Sequence, residues 1–279
     1  MLPPPGCRAC PWRPACLPEG KDVLPMIRLE AQARTDPGPV REHNEDSFLV
    51  ELDSGLFVVA DGMGGHASGE VASALAVQAL RDVLLGEHDP DETRLDRTAP
   101  DSEEQIRERL RYAMNQASLR IRRAAQEAPQ HTGMGTTVCV LLVEDGMAHI
   151  GHVGDSRIYL ARDGRLQRLT RDHTVVQQEI DAGRLTPKLA RIVPHKNILT
   201  QSVGYHGPVE PDTSTRPVRP GDVFLLCSDG LTDPLDDEQI GRIIAETRFD
   251  DLAETLVQKA LDAGGDDNIT VVVVGVFED

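Results

Sequence analysis

Short runs of Val, Ile and Leu recur along the chain and are separated by turn-forming residues. The runs read SFLVEL, LFVVAD, TTVCVLLVED, MAHIGHVG, RIYLARDG, DVFLLCSD and NITVVVVGVF. Several are linked through Ser54-Gly55, Asp145-Gly146 or Asp163-Gly164, dipeptides that favour tight hairpins. Parallel strands would need a long crossover at each link. The pattern therefore predicts largely antiparallel sheets.

Two stretches repeat their apolar residues at helical spacing, from Ala72 to Leu84 and from Ile106 to Ala124. A capping-box sequence, Ser-x-x-Gln, precedes the second stretch. A further pair of helices is predicted at Asp237–Glu246 and Asp250–Ala263. Strands in hairpin groups with helices between them predict an α+β domain, in which two packed antiparallel sheets are flanked by helix layers.

Composition narrows the partners of this domain. The 279 residues include 29 Lys and Arg against 46 Asp and Glu, a formal net charge of −17. Such a charge opposes broad contact with nucleic acid or an anionic membrane. No apolar run approaches the roughly 18 residues of a membrane span, and no signal-peptide core is present at the start. Cys139 and Cys227 lie singly in apolar runs, as reduced thiols do. We therefore expect a cytoplasmic protein.

The first 25 residues differ from the rest in being rich in proline and in carrying Cys7, Cys10 and Cys16. A C-x-x-C start can indicate a metal site, but three thiols with no histidine nearby do not match a zinc motif. We interpret residues 1–25 as a flexible leader and residues 26–279 as one catalytic domain.

Acidic residues stand at the ends of the predicted strands: Glu45, Asp46, Asp61, Asp155, Asp229, Asp266 and Asp267. Alternate strand ends of an antiparallel sandwich return to the same edge, so these acids can converge. Each Asp alone is typical of a turn or a helix cap. Gathered together they would repel one another unless divalent cations neutralised them. An all-oxygen set favours Mg²⁺ or Mn²⁺ over zinc.

The segment Phe57 to Gly65, FVVADGMGG, joins a buried strand to a carboxylate and several glycines. Asp61 is suited to be shared by two cations, and Gly62 lets its own carbonyl turn toward one of them. Two cations that share a carboxylate lower the pKa of water for in-line attack at phosphorus. Arg41, four residues before Glu45, either neutralises the acids or binds a substrate phosphate, and spacing alone leaves both readings open.

Eight blocks of this sequence, in order, resemble those of the metal-dependent type 2C serine/threonine protein phosphatases in their bacterial form. They are REHNEDS (41–47), VVADGMGGHASGE (58–70), GMGTT (133–137), GHVGDSRIYL (151–160), LTRDHT (169–174), LTQSVG (199–204), LLCSDGLTD (225–233) and GGDDNITVVVV (264–274). The resemblance covers the chain from about residue 28 onward. It implies a helix-flanked β-sandwich with a binuclear Mn²⁺ or Mg²⁺ centre.

The resemblance also implies a role for each residue of the site. Asp61 would bridge the two cations and Gly62 would be a main-chain ligand. Asp229 and Asp267 would complete the first cation site, and Glu45 and Asp46 would hold the second, partly through water. Asp155, with Asp229, matches a weaker third site. Arg41 corresponds to the phosphate-binding arginine.

The implied activity is hydrolysis of phosphoserine and phosphothreonine in proteins by water activated at the binuclear centre, without a covalent intermediate. The implied partners are phosphorylated proteins and a cognate Ser/Thr kinase, and we expect a monomer. Two alternatives are a phosphatase-like binding domain without turnover and a hydrolase of small phosphoesters. The complete set Asp61, Asp229 and Asp267 argues against the first, and the lack of a Gly-rich phosphate-cradling loop argues against the second.

The sequence leaves alternatives for two features, the general acid and the segment from Thr174 to Lys196. Met63 stands where many eukaryotic members have a histidine proposed as general acid, so His43, His66, His152 or a water molecule are the alternatives. The segment from Thr174 to Lys196 aligns with a flap beside the cleft of bacterial members. It carries a basic cluster of Arg184, Lys188, Arg191, His195 and Lys196. It is either a solvated helix and loop or a substrate-contacting flap.

Overall fold

The computed structural model describes residues 27–64, 68–86, 102–205 and 207–279. The predicted leader, with its three cysteines, lies outside the described residues, as does His66. The boundary at residue 26 therefore stays a prediction.

The described residues form eleven strands and seven α-helices. The strands are β1 (Ile27–Asp36), β2 (Asp46–Glu51), β3 (Leu56–Met63), β4 (Gly135–Thr136), β5 (Val138–Glu144), β6 (Met147–Val153), β7 (Arg157–Arg162), β8 (Arg165–Arg168), β9 (Asp212–Pro217), β10 (Val223–Cys227) and β11 (Ile269–Glu278). The helices are α1 (Ser68–Leu85), α2 (Glu103–Glu127), α3 (Val175–Asp181), α4 (Pro187–Ala190), α5 (Asp229–Thr232), α6 (Asp237–Glu246) and α7 (Leu252–Asp262). Short 3₁₀ turns lie at Pro129–His131 and Phe249–Asp251.

The strands form two sheets whose paired strands are antiparallel throughout. One sheet has the order β1-β11-β10-β7-β8, and the other has β2-β3-β5-β6-β9, with β4 beside β3. The predicted hairpin links are confirmed. Asp145 and Gly146 have φ angles of 50° and 73°, and Asp163 and Gly164 have 53° and 73°. Left-handed backbone at both central residues is the geometry that matches the twist of a two-residue hairpin.

Three apolar layers hold the sandwich together because the central strands are buried on both faces. Phe57 and Val59 of β3 pack with Phe224 of β10 between the two sheets. Val58, on the opposite face of β3, packs with α1 and α2. Leu225 of β10 packs with the helices α5 to α7 on the other side of the molecule. The predicted sandwich of two sheets between helix layers is thus confirmed.

Both long helices lie where the apolar stripes predicted them, and the capping box in front of α2 is formed by Ser102 and Gln105. Cys139 and Cys227 are buried free thiols, as expected. The strands β1, β8 and β9 were not predicted from the sequence. All three are edge strands whose side chains are mostly partly or fully exposed, so polar residues interrupt the apolar run. Among the described residues, no helix combines the length and apolar character that crossing a membrane requires.

Candidate metal centre

Both sheets deliver acidic residues to the same end of the sandwich. Asp46, the first residue of β2, lies directly opposite Asp61 of β3. Asp229 follows β10 and starts α5, and Asp267 lies just before the neighbouring strand β11. Asp61 and Asp229 are close enough for the carboxylate of each to affect the other. Asp155 lies in the turn from β6 to β7 and is close enough to Asp61 and Asp229 for its charge to act on both.

Asp46 is the most buried of these carboxylates, with 9% of its surface exposed. Its Oδ2 accepts a hydrogen bond of 2.8 Å from the Ser228 hydroxyl, which joins the two sheets. Its Oδ1 is buried and has no hydrogen-bond partner among the described residues. Burial, together with the nearby charges of Asp229 and Asp267, raises the pKa of Asp46 to about 7. A buried anion with an unpartnered oxygen is costly unless a cation neutralises it.

In the other acids of the cluster, too, burial disfavours the negatively charged form. Burial first, and then the charge of Asp233, raises the pKa of Asp229 to about 7. Burial and the neighbouring carboxylates raise the pKa values of Asp61 and Asp155 well above their usual range. Like charges crowded in a low-dielectric environment favour protonation unless an opposite charge is present. The donor set is oxygen throughout, so these residues fit hard divalent cations such as Mn²⁺ or Mg²⁺.

Glycines bring the main chain into close contact at this centre. A Cβ atom on Gly62 would lie 2.1 Å from the Gly69 carbonyl oxygen and 2.6 Å from that of Glu45. A Cβ atom on Gly69 would lie 2.6 Å from the carboxyl carbon of Glu45. Glu45 therefore lies against the start of α1, where the main-chain N–H of Gly69 hydrogen-bonds its carboxylate. Burial outweighs that hydrogen bond and raises the pKa of Glu45.

Asp61 is held by its own main chain as well. Its carbonyl oxygen accepts hydrogen bonds of 2.8 Å from both the Thr137 N–H and the Thr136 hydroxyl. Its N–H donates to the Thr137 hydroxyl at 3.0 Å. Because the Asp61 carbonyl already accepts two hydrogen bonds, Gly62 offers the next main-chain oxygen along the strand. This arrangement is consistent with the expectation that Gly62 is a ligand.

Asn268 organises the loop that carries Arg41 and Glu45. Its Oδ1 accepts the Glu45 N–H at 2.8 Å, and its Nδ2 donates to the carbonyls of Pro37 and His43 at 2.9 and 3.0 Å. The sequence analysis gave Asn268 no role, nor Ser228, Thr136 or Thr137. In the sequence, the feature that could have indicated a role for Asn268 is an Asn at the start of an apolar strand, where this residue type is disfavoured.

Arg41 lies at the rim of the centre with half of its side chain exposed. Its Nη2 is 2.8 Å from an oxygen of Asp267. This ion pair neutralises Asp267, which is one of the two roles considered for Arg41. The exposed part of the guanidinium leaves room for the other role, binding of a substrate phosphate. Asp266, which the sequence analysis grouped with the acids, is exposed.

Of the histidines considered as general acids, His152 is excluded by its position. It is 1% exposed, and its Nε2 donates to the Ser156 carbonyl at 2.9 Å. Burial, reinforced by His173, lowers the pKa of His152 to about 4, so the ring is neutral. His173 lies against it and in turn donates through Nε2 to Asp212 at 3.2 Å. The two rings therefore support the turn that carries Asp155. His43 is exposed on the loop before Glu45.

The flap segment forms α3 and α4 and covers a cleft of about 460 Å³. The residues that line the cleft include the acids Asp155 and Asp229 and the basic residues Lys188 and Arg191. Most of the basic cluster is already paired. Arg184 binds Glu179 through two hydrogen bonds of 2.6 and 2.8 Å.

Two other basic residues of the flap bind one acid beside the centre. Arg191 donates to the main-chain carbonyl of Asp233 at 2.9 Å, and Lys196 forms an ion pair of 2.6 Å with its carboxylate. Lys188 makes no ion pair with any residue that the structure describes. The flap is therefore held next to the acids by Arg191 and Lys196, whereas Lys188 lines the cleft without an ion pair in the described structure.

Comparison with known proteins agrees with this geometry. The serine/threonine protein phosphatase PstP of Mycobacterium tuberculosis is 40% identical over 250 residues, which cover 90% of this chain and 45% of that protein. The chain thus spans about half the length of PstP. The serine/threonine phosphatase stp of Listeria monocytogenes is 36% identical, with 88% of this chain and 95% of that protein covered.

The structural comparison gives the same family. A crystal structure of the PstP catalytic domain in complex with two manganese ions superimposes with a TM-score of 0.75 at 38% identity, and covers 90% of this chain and all of that one. The family profile described as "Protein phosphatase 2C" matches residues 40–268. The chain therefore belongs to the protein phosphatase 2C family.

Proposed function

We propose that this chain hydrolyses phosphoserine and phosphothreonine in proteins at a binuclear Mn²⁺ or Mg²⁺ centre. The observation that carries the proposal is the acidic cluster in which the buried Oδ1 of Asp46 has no hydrogen-bond partner among the residues that the structure describes. The family relationship supports the same activity, because relatives with 36–40% identity are named serine/threonine phosphatases.

The proposed ligands follow the sequence expectation. Asp61 would bridge the two cations and Gly62 would be a main-chain ligand. Asp229 and Asp267 would complete the first cation site, Glu45 and Asp46 would hold the second, partly through water, and Asp155 with Asp229 would hold a weaker third cation. When bound, the two cations polarise the phosphate and lower the pKa of a water molecule. The Asp61 main chain, fixed by three hydrogen bonds, holds its carboxylate toward the cluster. Arg41 supplies paired donors at the rim for a substrate phosphate.

The protein itself offers no accessible thiol nucleophile in its described part, since Cys139 and Cys227 are buried within strands. This argues against a cysteinyl-phosphate intermediate, and direct hydrolysis by water is the route that we propose. We also propose that the enzyme acts as a monomer in the cytoplasm, opposite a Ser/Thr kinase. The two reduced cysteines and the net charge of −17 support that location.

The test is turnover of a phosphothreonine peptide with Mn²⁺, compared between the wild type, Asp61→Asn and Asp145→Asn. Asp145 lies in a hairpin turn away from the acids and has a positive φ that Asn also adopts, so it is a matched control. We expect activity in the wild type and the control only, and its loss with a chelator.

Activity that survives Asp61→Asn or the chelator would contradict the two-metal proposal. Turnover of nucleotides but not of the peptide would favour the small-phosphoester alternative. Binding of Mn²⁺ and peptide without turnover would favour the binding domain.

A further inference from the structure

Thr137 and Ser156 form a buried pair of hydroxyls directly behind the acidic cluster. Their oxygens are 2.7 Å apart, and the two residues are 3% and 0% exposed. Thr137 lies at the junction of β4 and β5, and Ser156 directly follows Asp155. The pair is therefore a direct side-chain link between the strand region that holds Asp61 and the turn that carries Asp155.

The Thr137 side of the link contacts Asp61 itself. The Thr137 hydroxyl accepts the Asp61 N–H at 3.0 Å, and the Thr137 N–H donates to the Asp61 carbonyl at 2.8 Å. A hydroxyl oxygen can accept this bond and still share a hydrogen with Ser156. The position of Asp61 thus depends on where the hydroxyl pair lies.

The Ser156 side of the link is equally constrained. The His152 ring donates to the Ser156 carbonyl, and the main-chain N–H of His173 donates to the Gly154 carbonyl at 2.7 Å. Gly154 has a φ of +110°, and a Cβ atom on it would lie 2.6 Å from side-chain atoms of Thr137. The turn therefore needs glycine here, because the Thr137 side chain packs directly against its backbone.

We propose that Thr137 and Ser156 are positioning residues, which fix Asp61 and Asp155 relative to each other and so set the affinity of the centre for divalent cations. This inference rests on the proposed function. Neither hydroxyl touches substrate. Both act through ligands whose mutual repulsion would otherwise push them apart, which is how outer residues of metal sites commonly contribute.

The experiment is a calorimetric titration of the full chain with MnCl₂. The variants are Thr137→Val, which removes the hydroxyl at constant shape, Ser156→Ala, which leaves the Asp61 N–H bonded, and Thr137→Ser, which restores the hydroxyl. Thr170→Val is the matched control, because the buried Thr170 hydroxyl accepts the Ile158 N–H at 3.1 Å and forms no hydrogen bond with Asp61 or Asp155 in the described structure.

We expect Thr137→Val and Ser156→Ala each to weaken Mn²⁺ binding by about tenfold, the lower end of the range for outer-shell changes. Thr137→Ser and Thr170→Val should stay within about twofold of the wild type. Because Thr137→Val already removes the contact with Ser156, the double variant Thr137→Val with Ser156→Ala should bind about as weakly as Thr137→Val alone.

Wild-type affinity in a folded Thr137→Val or Ser156→Ala protein would overturn this inference and leave the proposed function intact. Equal weakening by Thr170→Val would also overturn it, since the effect would then follow general stability. A wild-type protein that does not bind Mn²⁺ would overturn the proposed function, and the inference with it.

Discussion

Asp46 and Asp222 are both buried carboxylates, but the protein treats them in opposite ways. Asp222, 1% exposed, accepts two hydrogen bonds of 2.6 Å from the Arg162 guanidinium and a third from the Arg219 N–H. Asp46 receives the Ser228 hydroxyl and keeps one oxygen unpartnered.

The difference separates a carboxylate that serves the fold from one that serves a ligand. The charge of Asp222 is neutralised from within the chain, so its geometry is complete as the chain folds. Asp46 itself forms no ion pair in the described part of the chain. Arg41 binds Asp267 at the rim, and Lys196 and Arg157 act on Asp229 and Asp155 without pairing with them. At the acidic cluster around Asp46, the charges that bind cations therefore also destabilise the sandwich. At Asp222, stability and cation affinity are independent.

The largest effect should come from neutralising an acid of the centre. Asp229→Asn should lower kcat/KM on a phosphothreonine peptide by about a thousandfold, because it removes a charge that the reaction needs. The same variant should be more stable than the wild type when unfolded by denaturant in a chelator, since repulsion is relieved. If Asp229→Asn lost activity and stability together, Asp229 would stabilise the fold as Asp222 does, and the proposed difference between the two regions would be wrong.

The converse change is Asp222→Asn, which breaks a buried bidentate ion pair. We expect the free energy of unfolding to fall by about 3 kcal/mol, the low end of the range for such pairs because Arg162 is partly exposed. Mn²⁺ affinity should stay within about twofold at a temperature where the variant is folded. Asp163→Asn, in the adjacent hairpin turn, is the control for a surface acid. Loss of Mn²⁺ binding by folded Asp222→Asn would show that the two regions are coupled.

The next largest effect concerns the pH dependence of stability, which should distinguish the acids of the centre from Asp222. Asp46 and Asp229 have pKa values raised to about 7 in the folded protein, whereas unfolded carboxyls titrate near 4. The fold therefore binds protons that the unfolded chain releases. In a chelator, the stability that these groups contribute should be complete at low pH and be lost as the pH rises through about 7.

With Mn²⁺ present the trend should reverse, because cations compete with protons and bind more tightly as the carboxyls ionise. Thermal unfolding between pH 5.5 and 8.5, with and without Mn²⁺, measures both slopes. Asp46→Asn should reduce the slope in the chelator. An identical slope in that variant would mean that another group is responsible.

The smallest effect concerns the flap, where the same contrast holds for basic residues. Arg184 is neutralised by Glu179, whereas Lys188 faces the cleft without an ion pair in the described structure. Lys188→Ala should raise KM for a phosphopeptide about two- to threefold, in line with the modest energy of an exposed charge contact. Arg184→Ala should leave KM unchanged, and a small aryl phosphate should not distinguish the variants. Equal effects on both substrates would favour a solvated helix and loop.

Much of this molecule follows from local patterns. Apolar runs joined by Asp-Gly pairs were sufficient to predict the central strands, because those strands are buried on both faces. The helix Asp237–Glu246 was predicted with its observed bounds. The acids at strand ends could be grouped because antiparallel strands return to one edge. The edge strands β1, β8 and β9 escaped because exposed faces carry polar residues.

The hydrogen bonds that support the centre were beyond local patterns. Asn268 contacts Glu45 across 223 positions, and Thr137 contacts Asp61 across 76. Thr and Asn are common in turns and loops, so their presence near a motif carries little information. Only the register of β3 with β4, and of β11 with its neighbours, brings these side chains to the main chain of the acids.

The place of β11 has a consequence for synthesis of the enzyme. This last strand lies between β1 and β10, and Asp267 and Asn268 immediately precede it. While the ribosome is still translating the chain, β1 has emerged first but lacks its pairing partner, and the loop before β2 lacks the side chain that secures it. The acidic cluster is therefore incomplete in a nascent chain until β11 has paired with β1 and β10.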